Sequence, residues 1–372
     1  MKTVVQWILI AGLALAAACD ELPTGTTAST TDAVAFHRAG GTGRVTVMTQ
    51  NLYVGADVDA VIAALMSPDP NDDVPALEAA IQTLHETDFP ARAGAFAAAI
   101  DRHRPDVVGF QEVSNIHIDL AALGIPPIEL HFLPIILDSL AARGLHYVVA
   151  DTVRNIDAQL LGGAIELVDL DAVLVNADRV TDVVPYSQNF TANLGEIAPG
   201  VVLQRGFVEV GALIDGQRYW VVSTHLEPDL NAETPLGDLR EAQAAEIVRV
   251  LGDSTPAFIM GDLNDDPGSA MYQVFQRAGF QDVWATLRPG TKGYTDSHPL
   301  DLNESVSHFT RRIDYVWARG MDGSRGKVQG QIGRINILPW ERVQGPDYKI
   351  WSSDHAGLVA ALLQAPARGW RR

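Results

Sequence analysis

One stretch constrains this chain more than any other: Pro256-Ala257-Phe258-Ile259-Met260 running into Gly261-Asp262-Leu263-Asn264-Asp265-Asp266-Pro267. A short apolar run of the first kind makes a buried strand. The residues after it are turn formers that also suit the start of a helix. Side chains two apart on an extended chain point the same way. Asp262 and Asn264 would therefore share a direction at a sheet's mouth if the extended conformation continues that far. A carboxylate beside a carboxamide suits a hard cation and a phosphoryl oxygen. The same residues also read as an Asp/Asn-rich turn bonding its own backbone.

The remaining chain gives that strand a setting. Residues 44–49 alternate with β-branched side chains and predict a strand ending at Gln50-Asn51. Residues 55–75 carry Asp57, Asp59, Asp69, Asp72 and Asp73 among prolines and read as a surface insertion with a short helix over 58–66. Residues 91–103 predict a helix with Phe96, Ala99, Ile100 and His103 on one face, stopped by Pro105. Residues 106–110 form a continuous apolar strand that runs directly into Gln111-Glu112. Then come a helix ending at Ala142, short strands at 146–150 and 171–175, and a hairpin, 206–214 with 218–224, about Asp215-Gly216. A helix over 236–251, the strand at 256–260, a helix over 269–278 and strands at 313–317 and 357–363 complete the pattern. Strands alternating with helices, with at least one antiparallel hairpin, argue a mixed α/β protein whose sheets are covered by helices. No composition break follows residue 44, so residues 44–364 read as one domain.

Composition narrows the function classes. Of 372 residues 47% are apolar and 20% charged, as in a well-packed soluble protein. A net charge of -19 disfavours a large electropositive track for nucleic acid. No Walker loop and no strand-borne glycine fingerprint is present. Cys19 is the only cysteine, which excludes an internal disulfide and a thiolate metal cluster. Its position matters more. Met1-Lys2, an apolar run over 4–18 and the small residues Ala16-Ala17-Ala18 precede it, in the order of a signal sequence. The run is shorter than the roughly 20 residues that span a bilayer. It resembles a bacterial lipoprotein signal, in which Cys19 would be lipidated and anchor the chain to a membrane. An ordinary secretory signal cut near the same place is the alternative, and either implies export. Residues 1–18 would be the leader, 19–43, rich in Thr, Ala and Gly, a flexible tether, and 365–372 a tail. The chain reads as a monomer.

Polar residues collect at the downstream ends of the predicted strands: Asn51, Glu112, His225, then Asp262 and Asn264. Asp314 lies in another strand and Asp354-His355 in the loop before the last. Buried charge is costly unless paired or metal-bound, so a polar residue at each such end describes the rim of a site. Glu112 with Asn51 and Asp354 would give an all-oxygen site suited to Mg²⁺ or Mn²⁺. Asp314 can orient the His355 imidazole and raise its pKa. His225 and Asn264 can donate to a developing phosphorane, and Asp262 can orient a water.

Six segments in order are similar to those of the endonuclease/exonuclease/phosphatase superfamily. They are Gln50-Asn51, Val108-Gly109-Phe110-Gln111-Glu112, Ser223-Thr224-His225-Leu226, Gly261 to Pro267, Arg312-Ile313-Asp314-Tyr315-Val316 and Ser353-Asp354-His355. The resemblance implies a deoxyribonuclease-like four-layer α/β sandwich: two mixed β-sheets packed face to face with helices on the outside. It implies a divalent-metal-dependent phosphoesterase with Glu112 as main metal ligand, Asn51 assisting it and Asp354 nearby. Asp262 and Asn264 would hold the nucleophilic water and the phosphate. Asp314 and His355 would form the Asp-His pair, and His225 would contact the scissile phosphate. The substrate would be a phosphate ester: nucleic acid, a phospholipid such as sphingomyelin, or a small phosphate or inositol phosphate. A catalytically silent surface binding module is the competing class, and it predicts erosion of the polar set. A Ser-His-Asp hydrolase would need a nucleophile elbow that is missing.

Several residues carry plainer readings. Asp171, Asn176 and Arg205 are mid-chain candidates that read as structural. His103, His117, His131, His146 and His298 read as structural or surface residues. Arg311-Arg312 could grip phosphate or face solvent, and Trp351 could wall a ligand or pack. The insertions at 55–90 and 114–145 follow the Asn51 and Glu112 strands, so they should edge the cleft.

Overall fold

The computed structural model describes residues 43–69, 71–229, 235–321 and 326–364. The expected leader, Cys19, the tether up to residue 42 and the tail from 365 lie outside the described residues. In chain order, strand β1 (Arg44–Asn51) is followed by helices α1 (Val58–Met66), α2 (Asp73–Glu86) and α3 (Phe89–His103). β2 (Val107–Gln111) then returns beside β1. A hairpin of β3 (Asn115–Ile118) and β4 (Ile128–His131) leads through α4 (Phe132–Ala141) into the long pair β5 (Tyr147–Leu160) and β6 (Ile165–Asn176). Next come β7 (Val180–Asn189), the short β8 (Gly195–Ala198) and β9 (Val201–Leu203), and the hairpin of β10 (Gly206–Ile214) and β11 (Gln217–His225). α5 (Gly237–Leu251), β12 (Ala257–Asp262), α6 (Ala270–Arg277), β13 (Gln281–Asp282), α7 (Val283–Leu287) and β14 (Asp314–Arg319) follow. The chain closes with β15 (Gly330–Ile335), a small ribbon of β16 (Val343–Gln344) and β17 (Lys349–Ile350), and β18 (Gly357–Leu363).

Two mixed sheets result. The first runs β15-β18-β1-β2-β6-β5-β9-β8, with β3 against β6 and β4 against β3; the second runs β13-β14-β12-β11-β10-β7. Each holds one parallel pair, β1 with β2 and β11 with β12, flanked by antiparallel neighbours. The parallel pairs face each other across the sandwich. Period-two alternation explains the layers. In β12, Phe258 and Met260 enter the core between the sheets, whereas Ala257 and Ile259 face the outer core under α5 and α6. Phe96 and Ile100 of α3 and Phe132 and Ile136 of α4 cover the outer face of the first sheet at Met48, Val108 and Phe110. The architecture is the expected four-layer α/β sandwich. No helix among the described residues is long and apolar enough to cross a membrane.

Two insertions differ from expectation. The segment 55–90 carries a second helix, α2, beside the expected α1; Asp57 caps α1 by accepting from the Ala60 amide at 2.9 Å. The segment 114–145 does not edge the cleft. Alternation in Asn115-Ile116-His117-Ile118 adds it to the first sheet as the β3–β4 hairpin, and α4 packs over that sheet. The strands expected at 146–150 and 171–175 extend to 160 and back to 165. Register shifts near Asp151 and Ile156 break the alternation that would have revealed their length.

Close approach and one buried charge shape the site end of the sandwich. A Cβ on Gly109 would lie 2.4 Å from Ser223 Oγ in the facing sheet, and one on Gly261 (φ 144°) would lie 1.8 Å from the Thr224 carbonyl oxygen. Arg92 of α3 is fully buried, on the same helical stripe as Phe96, Ile100 and His103. Its guanidinium donates to the carbonyls of Thr87 (2.7 Å), Leu52 (2.5 Å), Ser352 (3.0 Å) and Tyr53 (3.0 Å). It thereby ties the exit of β1, the approach to β18 and the α2–α3 turn together. Burial lowers its pKa to about 10. Arg92→Met strands four carbonyls, and the expected loss is at least about 3 kcal/mol. Denaturant unfolding would show it as a lower midpoint at unchanged slope, and Arg92→Lys should recover only part of the loss.

Candidate active site

Strand direction puts the polar residues in one place. β1, β2, β11 and β12 end at the same edge of the sandwich, and β14 and β18, antiparallel to β12 and β1, begin there. In the second sheet the register pairs His225 with Asp262 and Asp262 with Asp314, one row across three strands. The chain turns sharply past these strands: Tyr53, Glu112 and Asn264 hold φ of 59°, 56° and 51°. Non-glycine residues in the left-handed region are strained, and such strain gathers at functional sites.

The side chains form one connected network. Asn51 donates to Glu112 Oε1 at 2.8 Å and to Asp262 Oδ2 at 3.2 Å, bridging the sheets, while its Oδ1 accepts from the Tyr53 amide at 2.8 Å. The second oxygen of Glu112 accepts from the Val54 amide at 2.8 Å. Asp262 Oδ2 also lies 3.6 Å from His225 Nε2 and 3.7 Å from His355 Nε2. His355 Nδ1 meets Asp314 Oδ2 at 2.8 Å. The extended conformation does not reach Asn264. Its amide instead bonds Asp262 Oδ1 at 3.0 Å and its side chain donates to the Leu226 carbonyl at 2.9 Å. The turn reading is thus realised at Asn264, while Asp262 joins the network of the cleft.

The electrostatics separate the two histidines. His225 is buried, and Arg205 Nη1 lies 3.0 Å from its Nδ1. A guanidinium can only donate, so Nδ1 accepts and the imidazole proton sits on Nε2, facing Asp262. Burial, Arg205 and His355 hold the His225 pKa well below the usual value, so it stays neutral. Burial acts on His355 in the same direction, but Asp314, Asp354 and Asp262 outweigh it and hold His355 well above the histidine range. Burial pushes the Asp262 carboxyl up to about 8 against the pull of His355. It pushes Asp354 to about 7, again against His355 and with Glu112 adding repulsion. Buried Asp169 rises to about 7 through burial and repulsion from Glu112.

Carboxylates crowded until they repel one another suit a divalent cation. Glu112 and Asp354 line the cleft with Tyr53, Asp57, Asp169, Arg205 and His225. Ligand atoms of Asp262, Asp314 and His355 also lie within 4.8 Å of one another, and Asp314 Oδ1 is buried with no hydrogen-bond partner among the described residues. The Asp262–Asp314–His355 group and the cleft carboxylates Glu112 and Asp354 are thus the two places where a cation could be held. Asn51 presents its NH₂ to both carboxylates and its Oδ1 to the Tyr53 amide, so it orients Glu112 and Asp262.

Sequence reasoning passed over part of the site. Arg205, read as structural, lines the cleft and bonds Glu227 Oε1 at 3.3 Å besides His225. Asp169 and Asp171 alternate inward along β6; Asp169 reaches the cleft, whereas Asp171 is held by Asn155 at 2.8 Å. Asp296 Oδ1 lies 3.7 Å from His355 Nε2 and sits in a stretch without periodicity. Asn176 bonds at the opposite end of the sandwich, to the Asp178 amide. Arg312 is consumed by buried Asp282 at 2.6 Å and Arg311 faces Asp266 at the surface. Trp351 is fully buried and packs against His298.

Residues 48–355 match the model of the Endonuclease/Exonuclease/phosphatase family. Over 135 residues, 32% of the chain, the sequence is 27% identical to the CCR4-Not complex 3'-5'-exoribonuclease subunit Ccr4 of Emericella nidulans, and the match spans 19% of that protein. The fold is similar to an endonuclease/exonuclease/phosphatase from Beutenbergia cavernae, with TM-score 0.53 and 20% identity over 87% of this chain and 72% of that one. It is also similar to humanized TDP2 of D. rerio, with TM-score 0.51 and 15% identity over 86% and 99% of the two chains.

The contrast between the histidines is measurable. In metal-free protein labelled with ¹⁵N-histidine, His355 should carry protons on both nitrogens at neutral pH and His225 only on Nε2. Asp314→Asn should return the His355 titration toward the ordinary range. A neutral His355 in the unaltered protein at pH 7 would contradict this account.

Proposed function

Because this chain belongs to the endonuclease/exonuclease/phosphatase family and is a hydrolase of phosphate esters, we propose that it cleaves its substrate by in-line attack of water in the cleft between Glu112, His225, Asp262 and His355. The carrying observation is the continuous network from Glu112 through Asn51 and Asp262 to His355 and Asp314, built from both sheets. Glu112 and Asp354 would hold the cation, Mg²⁺ or Mn²⁺. When bound, that cation supplies neutralising charge for the phosphate oxygens and the leaving group.

This chain's residues do the rest. Asp262, with a pKa near the working pH, has the basicity to take a proton from the attacking water. His355, held as an imidazolium by Asp314, is a donor that can steady charge on the phosphoryl oxygens. His225 offers a neutral Nε2–H to the same oxygens, kept in that tautomer by Arg205. The new oxygen–phosphorus bond forms opposite the ester bond that breaks, and the departing oxygen takes up a proton from water. The relative named as an exoribonuclease favours a nucleic acid substrate for the shared segment, whereas the net charge of -19 works against a long polyanion.

The leader pattern before Cys19 supports export with a lipid anchor at that cysteine. In a bacterial host, labelled palmitate should enter the unaltered chain and not Cys19→Ser; equal labelling of both would reject the anchor.

Hydrolysis of bis-(p-nitrophenyl) phosphate by the purified domain tests the site. Turnover should require Mg²⁺ or Mn²⁺ and stop with chelator. Glu112→Ala and His355→Ala should each lower kcat by at least about 10³-fold with melting temperature little changed. Undiminished turnover in either variant would remove that residue from the mechanism.

A further inference from the structure

Beside the cleft lies a cavity of opposite character, about 90 Å³ in volume. Its walls come from α1, α2, β3, β5 and β6, with Ile62, Leu77, Ile81, Ile118, Ile165 and Leu167 among them. Among the described residues Glu166 is its one polar side chain, and no aromatic ring lines it. Val54, Ala56, Val58 and Ile156 line both this cavity and the cleft, so the two adjoin across these side chains. Val54 joins them directly: its side chain walls the cavity while its amide holds Glu112 Oε2 at 2.8 Å. Several wall residues, including Val58, Leu77, Ile81 and Leu167, remain half-buried and reachable from outside.

We infer that this cavity takes the hydrocarbon chain of an amphiphilic phosphate ester whose phosphate lies in the adjoining cleft. The inference rests on the hydrolase reading above and adds the substrate class. A nucleobase would want a stacking face or hydrogen-bond partners, and a polyol would want donors and acceptors; these walls provide neither. Water gains little in such a space without polar partners. A methylene chain leaves water favourably against aliphatic walls, and each buried CH₂ tightens binding by about fourfold. The insertion carrying α1 and α2 closes the cavity over strands β3, β5 and β6 of the first sheet.

The test uses p-nitrophenyl phosphodiesters of methanol, butanol, octanol and dodecanol, each below its micelle concentration, with alkylphosphonates of the same lengths as binding probes. For the unaltered protein, kcat/KM should rise by up to about fourfold per methylene and then level as the cavity fills. Phosphonate affinity should rise in parallel by calorimetry. Ala80→Phe and, on the opposite wall, Ala158→Phe fill the cavity away from the catalytic groups. Either, shown folded by its melting curve, should flatten both series and leave the methyl diester rate unchanged. Flat phosphonate binding in the unaltered protein would overturn the chain site, as would a chain-length dependence that survives both fillings. Chain-dependent phosphonate binding without turnover of any ester would keep the chain site and overturn the hydrolase reading.

Discussion

A single guanidinium with no carboxylate on it sets the geometry of this molecule's working edge. Arg92 gives its hydrogen bonds to four main-chain carbonyls, two of them just beyond β1 and one just ahead of β18. Those carbonyls belong to loops that carry Asn51 at one end and Asp354 and His355 at the other. Buried charge is ordinarily a liability. Here the oriented carbonyl dipoles compensate it, and the charge fixes two loops distant in sequence at one separation. The same positive charge acts through space on Asp354 and Glu112, so the staple also tempers the repulsion between the cleft's acids.

That repulsion is the site's second organising force. Glu112, Asp169, Asp262, Asp314 and Asp354 gather at one edge of a chain already rich in acids, and burial denies Asp169, Asp262 and Asp314 the screening that water would give. Two histidines answer in different ways. His355 takes a proton and becomes a local counter-charge, whereas His225, pressed by Arg205, stays neutral and serves as a directed donor. One residue type thus plays two parts because its neighbours differ. A divalent cation would complete the neutralisation that the protein leaves unfinished.

Much of this could be read from the amino-acid string, and what could not has physical reasons. Short apolar runs ending in Asp, Glu, Asn or His announce themselves because strand and polar terminus are contiguous, as at Asn51, Glu112, His225 and Asp262, and Asp314 stands out as a charge inside an apolar strand. The exact turn at Asn264 stays hidden, since a left-handed residue in a Gly-Asp-x-Asn run leaves no periodic trace. Arg92 was hidden by its helix, although its place four residues before Phe96 puts it on the apolar stripe, where an arginine must find carbonyl or carboxylate partners. Arg205 and Asp296 occupy stretches where neither period applies, and only tertiary contact reveals them. Helix α2 was lost among prolines and aspartates that suit a loop as well as a cap.

The proposed catalytic set is divided between the two sheets. Asn51, Glu112 and His355 belong to the first sheet and its loops, and His225, Asp262 and Asp314 to the second. Asn51 reaching Asp262 and Asp314 reaching His355 are the stitches across that seam. A sideways slip of one sheet by a fraction of an ångström would part these stitches while most of the oily filling stayed dry. Reactivity would therefore fade ahead of any global melting, and the enzyme would act as its own vernier for the alignment of its two halves.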